Sequence, residues 1–459
     1  MTSNVNWSLL SGELAGFVAL PGDSAYTASL QIDNGRIQLH PAAVVFPFVE
    51  TDVARAMKFA RDHKIPMTAK GGGHSAAGYC LNRGGMVIDL QYMNAIAFNR
   101  ADETVRVQLG ARWREVYVFM EATGTGLFPV GGGCPTVGVP GFMLGGGYSF
   151  VSRSYGMSID NLHSIKLVTP DGRLRHVGIH STSQADKDLF WACCGGGGGN
   201  FGINTSFTMK TIAADRVTVF QLVWQGASVA LGEALMQSLH AAPDTLGSRV
   251  SFRANQGRVD IDLLGQLRGS RAEVLEILAP ALRLARPYEM KIEADVDYWD
   301  GQDFLHEDPL PTYYQERSAY IPDQFPAQFL AQGFEHLRRA PSTGGTRDLR
   351  FFQTGGKINT VADDATAFVH RSNHWLMVVG LYWDAATNAN EPLLRSAHDW
   401  QNQFYQAMLP ATDRMAYQNF PDPSLTDWRA AYYGKNFKKL HDIKTAVDPA
   451  QVFNFAQAI

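Results

Sequence analysis

Glycine constrains this chain more than any other residue. Of 459 residues 44 are glycine, and they concentrate in runs at 71–73, 131–133, 145–147 and 195–199. A run without side chains has nothing to bury and loses the most conformational freedom on ordering. Repeated runs therefore mark loops where backbone must turn sharply or meet a ligand directly. The clusters stop near residue 210, and alternating patterns such as Val250 to Arg253 and Val259 to Leu263 take over. At about 100 to 200 residues per domain the length implies two or three domains. The shift in composition places a boundary at 210–217: residues 1–211 as one domain, 212–412 as a second, and 413–459 returning to the first.

Local punctuation is clearest at 42–63. Ala42 to Phe46 reads as a short buried strand. Thr51 is placed to cap a helix whose apolar positions Val53, Ala56, Met57 and Ala60 follow the helical repeat, and Ile65 to Ala69 forms a second strand. This strand–helix–strand unit runs straight into Gly71-Gly72-Gly73-His74. Further strands are expected at Met86 to Leu90 and Thr104 to Leu109, with a helix over about 113–123. A hairpin is expected at Ser164 to Val177 around Pro170-Asp171-Gly172. Beyond the boundary, helices near 270–284 and 390–408 and strands near 349–352 and 375–382 suggest a mixed sheet with helices on one face. The tail, 440–459, reads as a helix and a short strand.

Forty Lys and Arg against 44 Asp and Glu give a formal charge of -4 with no long run of either sign, which offers nothing to nucleic acid. No stretch approaches the roughly 18 apolar residues of a membrane span. The first 20 residues lack a basic segment, and Glu13 interrupts their apolar run, so the expected location is the cytoplasm. Four cysteines are too few for a disulfide scaffold, and Cys193 and Cys194 read as buried structural thiols. No His, Cys and carboxylate spacing forms a metal pattern.

Two reactive side chains sit inside glycine-rich loops: His74 in Ala69-Lys70-Gly71-Gly72-Gly73-His74-Ser75, and Cys134 in Gly133-Cys134-Pro135-Thr136-Val137-Gly138. Singly, a turn histidine and a lone cysteine are ordinary. Each loop nonetheless suits close approach to a large planar or phosphate-bearing ligand. A dinucleotide loop can be threaded through Gly195 to Gly202, but no strand–loop–helix unit with a following acidic residue frames it.

Over nearly the whole chain these residues resemble the berberine bridge enzyme-like flavin oxidases, within the vanillyl-alcohol oxidase type of fold. The match runs through Lys70 to Ser75, Cys134 to Gly138, Gly145 to Tyr148, Arg153 to Gly156, Asp160-Asn161, Leu189 to Ala192 and Gly195 to Gly202. It continues with Thr366 to Arg371, Tyr417 to Asp422, Tyr432 to Phe437 and Lys444 to Asn454. The resemblance implies an α+β, two-domain flavoprotein: a vanillyl-alcohol oxidase type FAD-binding domain and an α/β substrate domain built on an antiparallel sheet. It implies bicovalent FAD, with His74 on the 8α-methyl and Cys134 on C6. The residues expected to contact FAD are Lys70, Gly71, Gly72, Gly73, Ser75, Gly133, Val137, Gly138, Gly141, Gly145, Asn200, Gly202, Tyr432 and Asn436. Tyr432 is the expected base, Arg350 a substrate or phenolate partner, and Gln353 an alternative on the opposite strand face. Tyr433 reads as a core aromatic.

The activity implied is oxidation of an alcohol or hemiacetal carbon of a sugar or natural product, with hydride passing to flavin and O2 becoming H2O2. Amine oxidation, oxidative ring closure, a dehydrogenase with another acceptor, and a flavin-retaining binding protein are the alternatives. The expected partners are a small-molecule substrate and O2, in a monomer or homodimer. Ala76 stands where carbohydrate and plant alcohol oxidases of the family carry a tyrosine. Pro140, Phe142 and Cys194 likewise depart from common glycine, histidine and arginine.

Overall fold

The computed structural model describes residues 5–306 and 312–459; the first four residues of the 1–211 segment and residues 307–311 of the 212–412 segment lie outside them. Hydrophobic strands of four residues, too short to stand alone, solve the burial problem by layering. Ala43–Phe46, Met86–Asp89 and Met67–Lys70 lie parallel, fully or largely buried, with Phe17–Ala19 antiparallel at the outer edge. The helix between the first two of these in sequence, Glu50–Asp62, buries Val53, Ala56, Met57 and Ala60, the positions its repeat marks out. Its cap differs from expectation. The helix begins ahead of Thr51, and the wholly buried Asp52 carboxylate accepts the N–H groups of Phe48, Ala15 and Gly16 at 3.0 Å each. Asp52 thereby does a cap's work and pins the N-terminal segment as well.

Among the described residues a second sheet is antiparallel throughout, in the order Ile96–Asn99, Thr104–Gln108, Ile203–Lys210, Leu162–Val168, Leu174–Gly178. The last two form the expected hairpin. Gly172, at φ +84°, makes its turn and donates to Thr169 O at 2.8 Å.

Residues 217–383 form the third and largest sheet, seven antiparallel strands among the described residues. Its order is Glu289–Val296, Val217–Trp224, Arg258–Leu267, Leu246–Asn255, Gly344–Gln353, Trp375–Trp383, Tyr313–Ile321. Strand alternation sends successive side chains to opposite faces. Phe351, Met377, Val379 and Leu381 face one way, into a core shared with the helices Val229–His240, Arg271–Leu284, Phe329–Arg338 and Glu391–Met408. The other face carries Tyr314, Glu316, Arg350, Phe352 and Tyr382 and looks toward the glycine loops.

The C-terminal segment packs Tyr417, Trp428, Tyr432, Tyr433, Leu440 and Phe453 into the same core as the two smaller sheets. Its helix, Phe437–Val447, ends in a buried hub. Lys444 Nζ donates to Asn200 O, Asp448 Oδ2 and Phe453 O at 2.7, 2.7 and 2.8 Å. The short strand expected in the tail is not formed among the described residues. Residues after 447 run irregularly because Lys444, Asp448 and Asn200 absorb their polar groups; the Ile459 N–H donates to Asn200 Oδ1. Cys193 and Cys194 are buried free thiols, and burial pushes the Cys193 thiol up to about 12.

Candidate active site

A cavity of about 520 Å³ opens between the glycine loops and the polar face of the large sheet. Its floor is backbone. After Lys70 the chain passes through Gly71-Gly72-Gly73 and meets the Cys134 loop directly. A Cβ on Gly72 would lie 2.2 Å from Gly138 N, and one on Gly138 would lie 2.3 Å from Gly72 N. Only two glycines allow the segments bearing His74 and Cys134 to touch backbone to backbone. The second loop is held from below, where Trp113 N donates to Val137 O and Arg114 N to Pro135 O, both at 3.1 Å.

Both reactive side chains line the cavity. His74 Nδ1 lies 3.7 Å from Asp33 Oδ1. Burial lowers the imidazole's pKa; the Asp33 carboxylate opposes that and the Arg112 guanidinium adds to it. Cys134 Sγ lies 3.4 Å from Thr136 Oγ1, and burial raises its thiol while that hydroxyl and nearby N–H groups pull the other way.

Of the other residues expected at the cofactor, Gly71, Gly72, Gly73, Ser75, Gly133, Val137, Gly138, Gly141, Asn200, Gly202 and Tyr432 line the cavity. Three expected ones do not. Lys70 turns into the core, where its Nζ lies 2.8 Å from the buried Asp89 carboxylate. Gly145 backs onto Asn419, whose Oδ1 a Cβ there would meet at 2.0 Å. Asn436 ties down the backbone of the 363–367 segment, donating to Asp363 O at 2.7 Å. These motif residues brace the loops from behind.

The roof comes from side chains. Tyr382 Oη donates to Glu316 Oε1 at 2.6 Å, and Arg350 Nη1 donates to the same oxygen at 3.1 Å. The Arg350 Nε donates to Asp348 at 3.0 Å. Tyr314 stacks on Tyr382, centroids 5.4 Å apart, and its Oη donates to Asp33 Oδ2 at 2.8 Å. Burial raises the Glu316 carboxyl's pKa although Arg350 and Tyr382 favour its ionised form.

Tyr432 lies at the end of the Trp428–Tyr433 helix, 2% exposed, and its Oη accepts the Asp422 N–H at 2.9 Å. Burial pushes the phenol upward and that N–H opposes the shift. The expected pairing of Arg350 with this phenol is not formed among the described residues, because Arg350 is committed to Asp348, Glu316 and Tyr382. Gln353 faces away from the cavity. Its side chain accepts from Ser248 Oγ at 2.8 Å and donates to Leu239 O, since strand alternation puts it on the helix-covered face. Tyr433 donates to Gly196 O at 3.1 Å and holds the fourth glycine run in place.

Sequence reasoning missed Asp33, Tyr314, Glu316 and Tyr382. The last three offered a signal in hindsight: polar residues at alternate positions in two strands whose other face is apolar.

Known proteins match this arrangement. Residues 41–178 match the FAD binding domain family, and residues 416–459 match the family described as berberine and berberine like. An uncharacterized FAD-linked oxidoreductase of Bacillus subtilis, YvdP, is 30% identical over 98% of this chain and 99% of its own length. Glucooligosaccharide oxidase of Sarocladium strictum is 28% identical over 92% of this chain and 87% of its own. Among solved structures, wild-type BBE-like 1 of Physcomitrella patens superposes with a TM-score of 0.87 at 23% identity, covering 99% of both chains. The chain belongs to the berberine bridge enzyme-like family of FAD-linked oxidoreductases, and it has the vanillyl-alcohol oxidase type of fold.

The residues fit FAD. The floor has a backbone cleft that any Cβ at 72 or 138 would fill. Buried polar atoms at the cavity, among them Tyr79 Oη, Asn204 Oδ1 and Gln457 Oε1, have no hydrogen-bond partner among the described residues. Polar groups left so in a dry site are costly unless a ligand completes them.

Proposed function

We propose that this protein is an oxidase that holds FAD through His74 and Cys134 and removes hydride from an alcohol or hemiacetal carbon, with O2 as the acceptor. The observation that carries the reading is the meeting of the His74 and Cys134 loops, backbone against backbone, with both side chains on one cavity. A structural neighbour, glucooligosaccharide oxidase from Acremonium strictum, is described as containing 6-S-cysteinyl, 8α-N1-histidyl FAD. When bound, FAD supplies a two-electron acceptor; the chain supplies orientation and proton handling. Tyr432 takes the substrate's hydroxyl proton, the Asp422 N–H offsetting part of the burial that disfavours its phenolate. Glu316, Tyr382 and Arg350 form the wall against which a polar substrate is oriented, and Ala76 leaves room beside His74.

The cofactor claim is tested by acid precipitation of wild type, His74→Ala and Cys134→Ala. Flavin is expected in the pellet of all three and in the supernatant of the double variant; release from wild type overturns the tethers. For the base, Tyr432→Phe is expected to slow anaerobic flavin reduction by about 100-fold or more, and full retention of the rate overturns the assignment. The carboxyl groups of Glu316 and Asp33 at the cavity favour amine oxidation as the second reading. Product masses from an alcohol panel and an amine panel separate the two.

A further inference from the structure

We propose that Asp33 is the positioning residue of His74: anchored by Tyr314, it holds the imidazole and takes up its proton, leaving the ring free to bond the cofactor. The inference rests on the histidine tether proposed above and adds what prepares it.

Asp33 belongs to a strap, residues 33–36, that is stitched on one side to the His74 loop and on the other to the large sheet. Asp33 N donates to Gly73 O at 3.1 Å, and Thr312 N donates to Asp33 O at 3.2 Å. Asn34 Nδ2 donates to Ala76 O at 2.8 Å and to Tyr314 O at 3.0 Å. With the backbone fixed on both sides, the Asp33 carboxylate has a defined place. Tyr314 Oη occupies Oδ2, and Oδ1 faces His74 Nδ1 at 3.7 Å. The other groups acting on the ring are the Arg112 guanidinium, which disfavours its charge, and the Thr136 backbone, which favours it. Asp33 is therefore the anionic group placed to receive a proton there. Tyr314 fixes that carboxylate from the large sheet.

Taken overall, tether formation exchanges one C–H of the cofactor's methyl and the imidazole N–H for a C–N bond. The two electrons and two protons released leave with dioxygen as hydrogen peroxide. The role of Asp33 is confined to the imidazole proton.

The test uses full-length protein from riboflavin-limited cells, mixed with FAD in air, in a Cys134→Ala background so that pellet flavin after acid precipitation reports the histidine tether alone. Adding Asp33→Asn is expected to slow pellet flavin formation at neutral pH by about tenfold or more, with total bound flavin unchanged and the rate recovering toward pH 9. Tyr314→Phe is expected to slow it less. A tethering rate equal to that of Cys134→Ala alone, in both variants, overturns the role of Asp33 and leaves the tether standing. Loss of total bound flavin in parallel, without recovery at high pH, also overturns it by making Asp33 merely structural. If Cys134→Ala alone never yields pellet flavin, the histidine tether falls and the proposal with it.

Discussion

The floor and the roof of the cavity are built on opposite principles. The floor is backbone: Gly72 and Gly138 meet where no side chain fits, and His74 and Cys134 project from the two segments so joined. The roof is side chain: Glu316, Arg350 and Tyr382 come from three neighbouring strands and are fixed by one another. A backbone site depends on the absence of atoms and tolerates no added methyl. A side-chain site depends on complete pairing and suffers most when one partner is removed.

The sharpest way to break this contrast is Arg350→Met. It leaves Glu316 and Asp348, with side chains 7% and 1% exposed, without their shared cation. Breaking a buried pair from one side costs about 3–5 kcal/mol, read as a lower urea midpoint. The pH dependence gives the sign. Glu316 has a raised carboxyl pKa in the fold, so its contribution is fully present below the unfolded value and is lost as pH rises through the folded one. Without Arg350 the folded pKa rises further. The deficit of the variant is therefore expected to be smaller at pH 5 than at pH 8, and Arg350→Met with Glu316→Gln should recover part of it. An equal deficit at both pH values would show that charge pairing does not hold the roof together.

The floor is tested by Gly72→Ala. Its methyl would sit 2.2 Å from Gly138 N, a clash with backbone that no rotamer change relieves. Overpacking of this kind costs about 1–3 kcal/mol, and here it also pushes the His74 and Cys134 loops apart. Flavin content is expected to fall more than the urea midpoint does. A flavin-replete Gly72→Ala protein of wild-type stability would remove the backbone contact as the reason for the glycines.

The same contrast explains what could be read from the sequence. The floor was legible because its constraint is local: a glycine run next to a histidine or a cysteine is visible within seven residues. The strand–helix–strand unit and the hairpin were legible for the same reason. The roof was not. Arg350 and Tyr382 lie 34 and 66 residues from Glu316 on hydrogen-bonded strands, and only the strand order brings them together. Asp33 is further still in sequence from Tyr314 and belongs to no motif. Lys70, Gly145 and Asn436 show the reverse. Motif membership marked them as cofactor contacts, whereas each packs behind a loop that lines the cavity. Gln353 lies on the strand face opposite Arg350, as strand alternation implies, and that face is turned away from the cavity.

The smallest expected effect comes from Tyr382→Phe, and it separates a wall that orients substrate from one that only closes the fold. The ring keeps its stack on Tyr314, and Glu316 keeps Arg350, so only one hydroxyl is lost. A hydrogen bond to a charged acceptor with another donor still in place is worth about 1 kcal/mol. Because Tyr382 donates to the ionised carboxylate, its loss raises the Glu316 pKa again, and the stability deficit should grow between pH 5 and pH 8. If the wall orients substrate, the alcohol found by the panel should also show a raised KM with little change in the limiting rate of flavin reduction, because Tyr382 acts on binding and not on the proton that Tyr432 is proposed to take. A stability change with an unaltered KM would assign Tyr382 to the architecture of the sheet and leave Arg350 and Glu316 as the residues a substrate meets.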